Sequence, residues 1–125
     1  DHWGIRYPTN VDDIADFLYR LSSRSISGRR SENIMSNSIP EHSKPIPRIL
    51  HYTGEEPYTK YEMCLVFAKL LGLPHGHIIP QADVPKDVTT RPYDCHLDVR
   101  ETEALGLEGG LNQSLFEEWW SQHLK

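Results

Sequence analysis

The stretch "TTRPYDCHLD", residues 89–98, concentrates the side chains best suited to holding a ligand. Arg91 lies in an irregular segment, fixed by Pro92 and flanked by Thr89, Thr90 and Tyr93. A rigid guanidinium fork among hydroxyls suits a phosphate or a carboxylate, because its planar N–H groups meet two oxygens at once. The same arginine can instead tie its loop to backbone carbonyls, or pair with Asp94 or Asp98. The residues alone leave both roles open.

Other chemistry-bearing patterns are thinner. His75 and His77 form the closest histidine pair, with no cysteine at ligand spacing, whereas zinc needs three or four converging ligands. Asp12/Asp13 and Glu117/Glu118 are adjacent on helical sequence, so their members point in different directions and read as solvated or capping residues. No G-x-S-x-G elbow is present. Neither G-x-G-x-x-G nor G-x-x-x-x-G-K-[ST] occurs, so the usual phosphate cradles are missing. No tyrosine is followed four residues later by a lysine, which removes a common proton-transfer pair. No catalytic residue is assigned, and the chain by itself is not expected to be an enzyme.

The elements that would position Arg91 are legible from periodicity. "YPTNVDDIADFLYRL" turns from extended chain into a helix, with Asn10 as cap, Asp13 three residues on, and Ile14, Phe17, Leu18 and Leu21 on one face. Residues 22–47 have no period and are rich in Ser, Asn, Pro and Arg, which predicts a long flexible loop. Arg24, Arg29 and Arg30 fall in it and read as solvated. "RILHYTG" predicts a short strand closed by Gly54, and "HIIPQ" a second extended piece. Between them runs a helix with complete punctuation: Thr59 as N-cap, Glu62 as its box partner, Tyr58 stapled to Met63, and Gly72 with Pro74 at the end. Its inner stripe is Met63, Val66, Phe67, Leu70 and Leu71, with Cys64 read as a buried thiol. Asp98 and Glu101 open a brief helix that stops at Gly106. A last helix is expected from about Gln113, capped by Asn112, with Phe116, Trp119 and Trp120 spread so widely that it is either deeply covered or short of a partner.

Composition sets the frame. The 125 residues are 38% apolar and 25% charged, which suits one globular domain with a modest core. A net charge of −5 and no basic face argue against nucleic acid. Two cysteines, Cys64 and Cys95, make neither a disulfide framework nor a metal quartet, which fits a reduced, cytoplasmic setting. No apolar run approaches the length of a membrane span.

In order, "YPTNVDDIADFL", "ILHYTGEEPYTKYEM" and "RPYDCHLD" resemble the C-terminal part of extended short-chain dehydrogenases of the dTDP-4-dehydrorhamnose reductase type. Within that group "DHW", "TKYEM", "GLP" and "RP…LD" are most similar to regulatory β subunits of methionine adenosyltransferase. The resemblance implies an α/β fold, α+β for these residues alone: the substrate-binding subdomain of a Rossmann-type protein, with about four helices and a few short strands. It implies one domain over residues 1–125, and an N-terminal Rossmann half, absent from this sequence, that would carry the glycine-rich loop and the Tyr/Lys pair. Residues 51–74 would then be a late crossover in which Gly54 only turns the chain. Arg91 and Tyr93 fall where sugar-nucleotide members contact a substrate diphosphate, and Thr9, Asn10 and Val11 match the segment lining the cofactor cleft. NADP(H) is implied for the longer protein and not for this chain. The implied partners are the catalytic subunit of methionine adenosyltransferase and the Rossmann half. The alternative is the same region of an NAD(P)-dependent sugar-nucleotide reductase. A strand edge without neighbours and an apolar last helix further predict a homodimer of the chain alone.

Overall fold

The computed structural model describes residues 1–32, 45–86 and 91–124. Four helices form: α1 (Val11–Glu32), α2 (Lys60–Leu71), α3 (Arg100–Glu103) and α4 (Phe116–His123). The residues group into two compact units where the sequence suggests one domain. Asp1–Asn10, Thr53–Leu97 and Gln113–Lys125 make the first, and Val11–Tyr52 with Asp98–Asn112 the second.

In the second unit α1 begins directly after Asn10, with Asp12 and Asp13 at the positive end of its dipole. Phe17 is buried, Ile14 and Leu21 are half-buried, and Leu18 is exposed, contrary to its expected place on the inner face. The buried face centres on Phe17, and the next residue in a helix is turned by about 100°. The Phe17 ring lies 4.7 Å from that of Tyr52. Val99, Thr102 and Leu105 are also buried.

The helix then runs on to Glu32, through residues 22–32 that the sequence assigns to a loop. Polar bonds hold this extension in place of an apolar period. Ser22 and Ser23 return their hydroxyls to the Tyr19 carbonyl at 2.8 and 2.9 Å, a local bond compatible with helix. Arg24, expected to be solvated, donates to the Leu105 carbonyl. The rest of the expected loop, residues 33–44, lies outside the described residues. The brief helix opened by Asp98 is α3, where Asp98 accepts the Arg100 N–H at 3.0 Å.

The expected strands do not form among the described residues. Two isolated bridges stand in their place, Ile5 with Asp94 in parallel and Arg6 with Tyr58 in antiparallel sense. The backbone groups that a ladder would use are taken by side chains. Thr102 donates to the His51 carbonyl at 2.5 Å within the second unit, and the Thr9 hydroxyl accepts the Gly54 N–H at 2.9 Å within the first. In "HIIPQ", Ile78 bonds back to His75, and the Gln81 carbonyl accepts the His2 N–H. The expectation of about four helices is met, and none of the few short strands forms among the described residues.

In the first unit α2 is capped as its sequence dictates. The Glu62 N–H meets the Thr59 hydroxyl at 3.2 Å, the Thr59 N–H meets the Glu62 carboxylate at 2.7 Å, and Gly72 closes the helix at φ 64°. Two expectations for α2 fail. Leu71, placed on its inner stripe, is 48% exposed at the end of the helix. Cys64 is exposed, because the rings of α4 meet α2 at Phe67, one turn further on. Tyr58, expected to staple to Met63, lays its ring against Phe116, 4.9 Å away. Helix α4 starts three residues later than expected, since Asn112 takes a left-handed φ of 50° and cannot begin it. Its first N–H is met from afar, by the Glu56 carboxylate at 2.5 Å. Phe67, Phe116, Trp119 and Trp120 contact each other mostly edge-on, and no residue of α4 is fully buried.

Candidate functional site

The first unit brings residues 3–10 alongside residues 91–97. The Ile5 N–H donates to the Tyr93 carbonyl at 2.7 Å, while Arg6 and Tyr58 exchange N–H···O=C bonds at 2.7 and 2.8 Å. Residues 5 and 6 are thereby held from both sides, and the side chains around them converge. The Arg6 guanidinium donates to the Ile5 carbonyl at 2.9 Å and lies 3.3 Å from the Cys95 Sγ. The Tyr7 ring lies 4.7 Å from the His96 imidazole, whose Nε2 is 2.9 Å from a Glu55 oxygen. The His96 N–H donates to Asp94 at 2.9 Å.

Tyr7 is the informative member of this cluster. Its phenol is pushed above the ordinary tyrosine value, by desolvation first, then by the charge of Asp94, its hydrogen bond to Asp94, and Glu55. Carboxylates beside a phenol favour its neutral, donating form. The cluster is built to hold chain segments together and to present a mixed polar surface.

The residues singled out from the sequence are distributed unevenly around it. Arg91 is exposed at the start of the described segment, and its flanking Thr89 and Thr90 lie outside the described residues. Tyr93 is 54% exposed and sets its ring edge-on to Trp3 at 5.2 Å. The Thr9 hydroxyl donates to the Tyr7 carbonyl at 3.1 Å, accepts from the Gly54 N–H and lies 3.4 Å from the Thr53 hydroxyl. Asn10 is half-buried at the end of that segment, while Val11 is exposed and belongs to the second unit. Gly54 is explained by contact: a Cβ there would fall inside the Pro8 carbonyl oxygen. Its neighbour is backbone, so the expected turn role becomes a close approach, and this glycine offers no phosphate cradle.

Sequence reasoning missed Arg6, Tyr7 and Glu55. They sit up to ninety positions from their partners, and only the "YDCH" part of the cluster stood out as a local pattern. Among the described residues no group of three or more His, Cys, Asp or Glu is arranged to hold a metal, and no helix is long and apolar enough to cross a membrane.

No family model matches the chain, and no solved structure matches it. Curated relatives do. The chain is 33% identical over 107 residues to a Xenopus tropicalis protein named methionine adenosyltransferase 2 subunit beta. It is 31% identical over 107 residues to the Rattus norvegicus protein of that name, and 29% over 108 residues to that of Danio rerio. Each similarity covers 86% of this chain, which is homologous to these proteins over that span. The span is 28–29% of the relatives' own length.

Proposed function

We propose, from this homology, that the chain is the partner-binding, regulatory region of a methionine adenosyltransferase β-subunit-like protein. Its role is to bind the catalytic subunit of methionine adenosyltransferase and not to turn over a substrate. The observation that carries this reading is similarity sustained over 86% of the chain. The Tyr7 cluster is in keeping with it, since Tyr7, His96 and Glu55 tie distant chain segments together. NADP(H) is implied by the resemblance for the longer protein; in this chain Gly54 lies against the Pro8 carbonyl, and the Thr9 hydroxyl bonds to the Tyr7 carbonyl and the Gly54 N–H.

A reductase reading keeps one observation in its favour, the exposure of Arg91 and Tyr93 on a single segment. The two readings separate in one experiment. The tagged chain is immobilised and challenged with purified catalytic subunit at micromolar concentration. Retention of the catalytic subunit, undiminished by Arg91→Lys, is the expected result. No retention, together with binding of a sugar nucleotide that Arg91→Lys weakens, would overturn the regulatory reading in favour of the reductase.

A further inference from the structure

Arg6 carries a charge that the cluster around it does not balance. The residue is half-buried, and its guanidinium hydrogen bonds all leave from Nη1 toward neutral groups. The Ile5 carbonyl lies at 2.9 Å, the Cys95 Sγ at 3.3 Å and the Pro92 carbonyl at 3.5 Å. The carboxylates of the cluster are engaged elsewhere: Asp94 with Tyr7 and the His96 N–H, and Glu55 with the His96 ring. Asp1 accepts the N–H groups of Trp3 and Gly4 at 3.1 and 3.2 Å. No carboxylate pairs with Arg6 among the described residues. Its Nε–H and both Nη2 hydrogens meet no acceptor among them either.

This edge is also held in place. Gly4 is buried, and a Cβ there would lie 2.9 Å from both Nη1 and Nη2. Any side chain at residue 4 would therefore push the fork aside. Backbone bonds of residues 5 and 6 to residues 93 and 58 fix the chain that carries the guanidinium. We propose that the Nε–Nη2 edge of Arg6 binds a phosphate group, gripping two of its oxygens side by side. A phosphate dianion supplies the missing counter-charge, and its oxygens match the planar fork. A guanidinium already held at Nη1 loses little side-chain freedom on binding. The regulatory reading makes no use of this edge, so the two proposals can fail separately.

The test titrates the whole chain with inorganic phosphate and with phenyl phosphate, followed by NMR at the Arg6 Nε–H. Saturable shifts are expected there, with a Kd of roughly millimolar order, and the tighter probe tells a free ion from an ester. Arg6→Lys keeps the charge without the fork and should weaken binding at least about fivefold. Gly4→Ala keeps Arg6 but displaces its fork, and should weaken binding severalfold. Arg100→Gln removes an exposed arginine already paired with Asp98 and should leave binding unchanged. Circular dichroism checks that each variant folds, and Arg6→Gln replaces Arg6→Lys if that one does not. No saturable shift up to tens of millimolar, or binding unaffected by Arg6→Lys, overturns the site. Equal weakening by Arg100→Gln would mean diffuse charge attraction and overturns it as well. Binding unaffected by Gly4→Ala overturns the held fork, and acetate binding as tightly as phosphate overturns the choice of ligand.

Discussion

In the unit that contains α1 the buried side chains include the large apolar Phe17, Val99 and Leu105, whereas in the unit that contains α2 and α4 they are the small Thr53, Thr59 and Ala68, and the aromatic rings are only half-buried. The first unit relies on ring contacts and polar ties. Phe67, Phe116, Trp119 and Trp120 meet edge-on, Tyr58 leans on Phe116 at a tilt, and Glu56, Thr9 and Gln113 hold backbone groups of distant segments. The second unit has a small dry interior closed by one arginine. Arg20 pairs with Asp16 at 2.8 Å and donates to the carbonyls of Glu108, Gly110 and Leu111. One unit is thus held by many weak ties, the other by a few buried groups and a guanidinium fork. Damage should be local and steep where a tie is steric or charged, and shallow where it is solvated.

The steepest case is expected at Gly54 in the first unit. Gly54→Ala drives a methyl into the Pro8 carbonyl, a backbone atom that cannot rotate aside, and should cost about 3 kcal/mol in urea unfolding. A cost near zero would mean that the close approach is not maintained. In the second unit Arg20→Ala removes the fork and should cost about 2 kcal/mol. Its hydrogen exchange should accelerate in α1 before α2, and the reverse order would break the contrast between the units.

A pH titration sharpens the same contrast. Tyr52 is raised to about 12, by burial first and then by Asp13, partly countered by Arg20, and its hydroxyl donates to the Leu111 carbonyl at 3.0 Å. A phenol whose folded pKa exceeds its unfolded value of about 10 stabilises the fold fully below that value. That contribution is lost as pH rises from about 10 through about 12. Tyr52→Phe should therefore be less stable than wild type at neutral pH and lose less stability across that alkaline window. Parallel decline of the two proteins would contradict the assignment. The smallest effect is expected at Lys69, whose 2.5 Å pair with Glu117 is exposed on both sides. Lys69→Ala should leave the urea-unfolding midpoint indistinguishable from that of the wild type.

The same contrast explains what could be read from the sequence. Helix α2 was fully legible because its caps, Thr59, Glu62 and Gly72, lie within or beside it. Helix α4 was misplaced at its start because its acceptor, Glu56, is sixty residues away. Gly54 stood out, but the reason for a glycine there is Pro8, a neighbour created by folding. Residues 22–32 lack an apolar period, and nothing local announces that Arg24 will find the Leu105 carbonyl. At the candidate site "RPYDCHLD" was visible as a pattern, while Arg6, Tyr7 and Glu55 join it only through the pairing of residues 5 and 6 with 94 and 58. Local punctuation is readable, and long-range side-chain ties are not.

The proposed function meets its most direct test in the kinetics of the catalytic subunit of methionine adenosyltransferase, measured with and without saturating amounts of this chain. A regulatory region should shift the KM for methionine or the kcat, and the shift should saturate with chain concentration. Identical kinetics at all concentrations, with the chain shown to be folded, would contradict the account.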